Sequence, residues 1–432
     1  MAIADDLQAA IGGHGDLVKL CSWDNPEFLK LRPKKGLWMS CLAQLAQAGV
    51  FYKAEQYQEA AKKMEAAKSK LIDQLMMQDS FKPCHEPLLV AFLRYELAVL
   101  LKIKASQKGT GSSDYLQGFV SSARDVTAGL SKSDSPQSKN TYLAVLNVML
   151  GISISEGRLE VAKIAGKERS DVQADVPLCL LPGGVRPVQA QTQVSKKRGK
   201  AKGKAGARVN YNKSPEVAAF LYHRGRVRLA DNQNTKAAVD LCGSVQLLGK
   251  GTRNRALAER YLGVALLNLG AVIRPDTLRA RGLDSFAALV ECAVSGDIEG
   301  LRALAASEEH LGPVLRLGGL SAMAKLESLC VAVMLREAHT RHKEGMTGQQ
   351  QNMMRLASIT TTLKQVGGRA EVVGWLAAIK RNGYTNCQLA VSKGHELLLF
   401  PPDNPFPFPT CTDPLAVLRK AYIAEGRIQP SK

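Results

Sequence analysis

The sequence predicts an all-α protein, a solenoid of stacked helical hairpins with a small β-hairpin near the C-terminus. Three observations support this prediction. Aromatic residues make up only 5% of the 432 residues while alanine and leucine are abundant, which favours helices over a β-sandwich or β-barrel. Apolar residues recur at helical spacing through most of the chain. A glycine followed twelve residues later by an alanine occurs in each half.

Composition and cysteine spacing exclude several classes of protein. With 45% apolar residues and about 100–200 residues per domain, the chain is long enough for two to four packed units. The nine cysteines form no CxxC pair, which excludes a zinc ribbon and a secreted disulfide framework. The N-terminus has no signal sequence, and the longest apolar run, at residues 142–154, is too short for a bilayer. We therefore expect a soluble intracellular protein without membrane contact.

The first predicted hairpin lies at residues 42–67. Its first helix places one set of residues on a single face: Leu42, Leu45, Ala46, Ala48, Gly49 and Tyr52. Its second helix does the same with Tyr57, Ala60, Ala61, Met64 and Ala67. Gly49 should allow close helix approach, and Ala61 follows it by twelve residues. This spacing resembles a tetratricopeptide unit.

The same spacing returns in the second half of the chain, from Gly225 to Ala237. Further hairpins are predicted at residues 86–104 with 115–130, at 140–165 and at 254–272. A single hairpin cannot bury its own apolar face, so neighbouring hairpins must stack. The sequence therefore predicts a helical repeat region at residues 1–175 and a second set of helical hairpins at 214–310.

A basic segment separates these two regions. Seven of the thirteen residues from 196 to 208 are basic and none is acidic, within a chain of net charge +19. Residues 176–213 also lack helical periodicity, so we interpret them as a flexible linker. Three functions fit its composition: a solvated spacer, a nuclear-import signal, or a nonspecific contact to nucleic-acid phosphates.

The C-terminal region changes from helical hairpins to a mixed pattern. Helices are predicted around residues 326–335 and 354–363, and a third helix ends at Asn382 and Gly383. Residues 387–391 and 395–400 then form two strands around a turn at Lys393 and Gly394. Helices followed by a two-stranded wing predict a winged helix at residues 311–408. A tail with a short helix follows at 409–432.

Stacked helical hairpins that lead into a winged helix resemble the PCI domain, which is named for the proteasome lid, the signalosome and initiation factor three. Residues 294–304 resemble the Gly-Asp helix at the head of that domain. The Val-Ser-Lys at residues 391–393 and the Asn-Pro-Phe-Pro at 404–407 resemble a branch that includes the PCI subunit of the nuclear TREX-type mRNA-export complex. The resemblance covers residues 214–410. Residues 394–403 separate two motifs that are nearly continuous in that branch, and the basic linker resembles an insertion.

The resemblance implies a noncatalytic scaffold that binds a helical scaffold protein and a small acidic subunit. It also implies that the complex binds nucleic-acid backbone, and that the protein is in the nucleus, at the nuclear pore. The alternative is a PCI subunit of the proteasome lid or signalosome, which would act through protein contacts alone and would also occur in the cytoplasm. A third class is a nucleic-acid regulator that acts without partners.

Candidate binding residues follow from charge and apolarity. Residues 311–400 carry eleven basic and five acidic residues, whereas 214–310 carry twelve and eleven. The predicted contacts to RNA or DNA phosphates are therefore Lys364, Arg369, Lys380, Arg381 and Lys393, together with Lys196, Lys197, Arg198, Lys200, Lys202 and Lys204 of the linker. The predicted partner-binding residues are Trp375, Leu389, Val391 and Phe406. Ordinary solvated charges on a protein-binding domain remain the alternative interpretation.

No catalytic motif is present in the sequence. Lys250 lies in a Gly-Lys-Gly-Thr segment that departs from the phosphate-loop pattern. His339 and His342 could share a helix face, but a metal site needs further ligands. We therefore expect neither an enzyme nor a cofactor, metal or small-molecule substrate.

Overall fold

The structure is a computed structural model, and 73% of the residues that it describes lie in helices. The described residues are 6–7, 17–32, 37–76, 86–106, 118–121, 123–124, 126, 130, 136–168, 172–173, 176–177, 214–392, 394–407 and 413–428. A small antiparallel sheet lies near the C-terminus. The contacts divide the chain into two units, with the boundary between His223 and Arg224.

The described part of the first unit is mostly helical, and its longer helices pack in sequence order. The helices are α1 (Leu17–Leu20), α2 (Pro26–Leu29), α3 (Leu37–Lys53), α4 (Tyr57–Met76), α5 (Glu86–Ser106), α6 (Pro136–Ser155) and α7 (Leu159–Glu168). Helix α3 packs against α4, α4 against α5, α5 against α6, and α6 against α7. The predicted hairpins at residues 42–67 and 140–165 are confirmed. The predicted helix at 115–130 lies partly outside the described residues.

A close approach at Gly49 is present in the structure, and the residues that approach it precede α3. A Cβ atom at Gly49 would lie 2.6 Å from Trp23 and 2.7 Å from Leu29, which belong to the preceding segment. The indole Nε1 of Trp23 donates to the Leu45 carbonyl at 3.0 Å, and its ring stacks on Tyr95 at 4.2 Å. Gly49 therefore makes room for a buried indole against α3.

The second unit contains the rest of the described helices and the sheet. Helix α8 (Pro215–Ala230) contains the boundary, and the others are α9 (Asn234–Leu247), α10 (Arg253–Asn268), α11 (Pro275–Arg279), α12 (Asp284–Ser295), α13 (Ile298–Ala306), α14 (Glu308–Arg316), α15 (Leu320–Glu344), α16 (Leu356–Thr362), α17 (Arg369–Arg381) and α18 (Pro414–Ala424). A short 3₁₀ helix spans Gly348–Asn352. Helix α15 contacts α10, α12 and α17, so it is central to this unit.

Helices α8 and α9 are joined by a close approach and a buried ion cluster. A Cβ atom at Gly225 would lie 2.7 Å from the Leu241 side chain, so the glycine confirms its predicted role. The Asp240 carboxylate accepts two hydrogen bonds of 2.8 Å from Arg224 and one of 2.6 Å from Arg228. Burial lowers the pKa of Arg228 although Asp240 opposes the shift. The carboxylate thus holds two arginines of α8 against α9.

The sheet has three strands, β1 (Met353–Arg355), β2 (Gln388–Ser392) and β3 (His395–Leu399), in the order β1-β3-β2. The predicted hairpin is confirmed, with Leu389 opposite Leu398 and Ser392 opposite His395. A third strand was not predicted: Met354, which the sequence assigned to the start of a helix, lies in β1 opposite Leu398. Pairing with β3 determines this three-residue strand, and the local sequence carries no strand signal.

The C-terminal helix α18 is part of the second unit's core. Asp413 caps it by accepting a hydrogen bond from the Leu415 amide at 3.0 Å. Leu418, Ala421 and Tyr422 are buried. Helix α18 packs against α9, and the Tyr422 hydroxyl donates to the Val239 carbonyl at 3.4 Å.

Candidate partner and nucleic-acid interface

Helix α17 presents most of the predicted site residues, and its sequence explains its position. Val372, Leu376 and Ile379 are buried at helical spacing, and the helix packs on α15. The Glu371 carboxylate accepts a hydrogen bond from the Gly368 amide at the first turn. The helix ends at Arg381, and Gly383 follows with a φ of +72°. The opposite face of α17 is left exposed.

Arg369 is paired within the protein. Its guanidinium donates two hydrogen bonds to the Glu396 carboxylate of β3, one of them at 3.0 Å. These bonds lower the pKa of Glu396 and raise that of Arg369. The pair connects the start of α17 to the hairpin β2–β3 and neutralises the charge that was predicted to bind phosphate.

The other predicted cations of this region form two separate groups. Lys364, Lys380 and Arg381 are exposed and make no ion pair with the described residues. Lys364 precedes α17, whereas Lys380 and Arg381 end it, and a thirteen-residue helix is ~20 Å long. Lys393 and the linker residues Lys196, Lys197, Arg198, Lys200, Lys202 and Lys204 lie outside the described residues.

Two of the predicted partner-binding residues share an exposed strand face. Strand β2 is at the edge of the sheet, and Leu389 and Val391 are 52% and 74% exposed. Residues two apart in a strand point to the same face. Their cross-strand partners are the buried Leu398 and the ion-paired Glu396. Leu389 and Val391 therefore lie on the same face of the sheet as the buried Leu398, at the edge where this face is exposed.

The other two predicted partner-binding residues are less exposed. Trp375 is half-buried on α17. Phe406 is half-buried against the rings of His339 and Phe400, with centroids 5.7 Å and 5.6 Å away. Burial lowers the pKa of His339, whose ring packs 4.3 Å from that of Phe400. Phe406 thus contributes to an internal aromatic cluster, and the exposed edge is formed by Leu389 and Val391.

No sequence pattern predicted the cleft at the C-terminal end of α17. Asn382, Gly383 and Tyr384 line it together with Lys325 of α15 and Lys420 of α18. These residues come from segments far apart in the chain, which is why their proximity could not be predicted. The described part of the chain holds no group of three or more His, Cys, Asp or Glu residues placed for a metal ion.

Two comparisons with known proteins give no relative. A scan against protein-family models finds no match to this chain, and a search of curated proteins finds none either. The resemblance of residues 214–410 to the PCI domain therefore stays a prediction from the sequence. Among the described helices, none combines the length and the apolarity that crossing a membrane requires.

Proposed function

We propose that this chain is a noncatalytic PCI-type scaffold subunit of a nuclear mRNA-export complex, and that it binds a helical partner through the edge of its wing. The observation that carries the proposal is the exposure of Leu389 and Val391 together on the edge strand β2. The mechanism is burial of apolar surface, without a chemical step.

The order of elements supports a winged helix. Helix α15, strand β1, helices α16 and α17 and the hairpin β2–β3 follow one another, and β3 is the middle strand. The local geometry of the Gly-Asp motif also supports the proposal. Gly296 ends α12 with a φ of +75°, and Asp297 caps α13 by accepting from the Gly300 amide at 2.8 Å. The helical pairs that precede it support the solenoid part of the proposal.

The physical argument for a protein partner is the state of the edge strand. An edge strand offers unpaired backbone groups, and natural proteins usually protect such edges or cover them. Full burial of a leucine or valine side chain contributes about 1.5–3 kcal/mol. A partner that covers Leu389 and Val391 would gain the part of this energy that corresponds to their exposed surface, and it could also pair with the strand.

The cations support the nucleic-acid part of the proposal. Lys380 and Arg381 project from the last turn of α17, and Lys364 lies near its start. Such contacts position a nucleic-acid backbone without reading its sequence. The small acidic subunit, the helical scaffold partner and the nuclear location come from the resemblance alone. The same resemblance also fits a proteasome-lid or signalosome subunit that makes only protein contacts.

Affinity purification with mass spectrometry, with and without nuclease, tests the proposal. The variant Leu389→Asp/Val391→Asp places two charges on the edge, and Ile164→Asp is the matched control because Ile164 is also 52% exposed. We expect wild type and control to retain export-complex proteins after nuclease, and the double variant to lose them. Recovery of proteasome-lid or signalosome subunits would refute the export assignment. Unchanged partners in the double variant would refute the edge as the binding surface.

Fluorescence anisotropy with a labelled single-stranded RNA tests the phosphate contacts. The variant Lys380→Ala/Arg381→Ala should weaken binding and reduce the slope of log K against log salt by about 0.7 per lost contact. Lys102→Ala/Lys167→Ala is the control, since both of these lysines are exposed in the first unit. An equal loss of affinity in both variants would show nonspecific attraction to the net charge.

A further inference from the structure

The second unit contains a cleft of about 470 Å³ that is built from six segments of the chain. Thr235 of α9, Gly270 after α10, Lys325 of α15, Asn382 after α17 and Lys420 of α18 line it. This volume is within the range of small-molecule sites. The cleft therefore has the size of a ligand site and is distinct from the exposed strand edge.

Cations and hydrogen-bonding groups without partners face this cleft. The ammonium groups of Lys325 and Lys420 have no hydrogen-bond or ion-pair partner among the described residues, and the same holds for the side chains of Thr235 and Asn382. Lys325 is half-buried, and none of the residues that line the cleft carries a carboxylate. Two ammonium groups in a cleft that no carboxylate lines make its potential positive, and this favours an anion.

The Lys325 side chain lies beside the backbone of Gly270, where there is no side chain. A Cβ atom at Gly270 would lie 3.8 Å from the Lys325 Nζ and 3.6 Å from the Tyr384 hydroxyl. Burial raises the pKa of Tyr384 to about 12, so its hydroxyl keeps its proton at neutral pH. The glycine, with a φ of +90°, leaves the space beside the ammonium and hydroxyl groups open.

We propose that this cleft binds a small phosphate monoester, whose phosphoryl oxygens accept hydrogen bonds from Lys325 and Lys420. Two ammonium groups match the charge of about −1.5 to −2 that a phosphate monoester carries at pH 7. Lysine binds phosphate as a compact point charge with three hydrogen-bond donors. Apolar side chains on the walls, among them Val272 and Val417, accommodate the body of the ligand. The proposal does not depend on the scaffold function.

Isothermal titration calorimetry of the full chain at low ionic strength tests this proposal. The probes are adenosine 5′-monophosphate, inorganic phosphate, adenosine, and a single-stranded RNA without a terminal phosphate. The variants are Lys325→Gln, which keeps most of the side-chain length, and Lys420→Ala at an exposed position. Lys250→Ala is the control, because this exposed lysine of the same unit does not line the cleft.

The expected result is saturable binding of the nucleotide or of phosphate, no binding of adenosine, and an affinity about tenfold or more lower in each cleft variant. The Lys250→Ala variant should bind like wild type. Absence of binding by both phosphate probes would overturn the proposal, as would binding that neither cleft substitution changes. If only the RNA bound, and its affinity depended on Lys325 and Lys420, the proposal would also be overturned. The cleft would then bind the nucleic-acid backbone and not a phosphate monoester.

Discussion

Replacing Asp240 with alanine should strongly destabilise the second unit. The Asp240 carboxylate is 3% exposed, the Arg224 side chain is 4% exposed, and three hydrogen bonds join this carboxylate to Arg224 and Arg228. Removing one partner of a buried ion pair leaves the other charge without compensation, which typically costs about 3–5 kcal/mol. Most of this cost should come from Arg224, because Arg228 is a quarter exposed and can be hydrated.

Urea denaturation followed by circular dichroism measures this loss, and native-state hydrogen exchange of the α9 amides assigns it to the second unit. Asp276→Ala is the control. Asp276 is 99% exposed and pairs with Arg279 at 3.4 Å, so its removal should leave stability nearly unchanged. If Asp240→Ala cost no more than Asp276→Ala, the buried cluster would not be what holds α8 against α9, and the reasoning would be wrong.

Three further predictions concern packing, a buried thiol and the C-terminal helix. Gly225→Ala should destabilise the protein by about 1–3 kcal/mol in urea titrations, because its Cβ would lie 2.7 Å from α9. Gly374→Ala, where a Cβ meets nothing within 4 Å inside α17, should instead be neutral or stabilising. Burial raises the pKa of Cys330 from 9.0 to about 12, so the folded state holds this proton where the unfolded state loses it. The stability that it contributes is complete below pH 9.0 and is lost as the pH rises towards about 12, so urea titrations should show a shallower decline in Cys330→Ala. Tyr422→Ala should cost about 3–5 kcal/mol in thermal or urea unfolding, and Leu415→Ala, at a half-exposed site of the same helix, much less.

The helices of the second unit were predictable because their signals are local. The apolar spacing of Val372, Leu376 and Ile379 specifies one face of α17, and Gly383 marks its end. The turn at Gly296 and Asp297 is specified in the same way. Gly296 takes the left-handed conformation that ends α12, and Asp297 next to it is the N-cap of α13. These features depend only on neighbours within one or two helical turns.

The candidate site was only partly predictable. The exposure of Leu389 and Val391 follows from the position of β2 at the sheet edge, and the sequence indicated the strand but not its place in the sheet. The sequence grouped Arg369 with the phosphate-binding cations, whereas the fold brings Glu396 to its side. Charge alone does not show which cations are already paired, because pairing depends on contacts between distant elements.

The sequence by itself determined the helical class, the positions of most helices and the hairpin β2–β3, since periodicity, caps and turns act over a few residues. The tertiary structure determined which residues of these elements come into contact. It placed Trp23 against Gly49 and paired Met354 with β3 as part of a third strand. It also brought Lys325 and Lys420 to the same cleft. Each of these contacts joins residues far apart in the chain, and their energy comes from burial and pairing that no short segment of sequence contains.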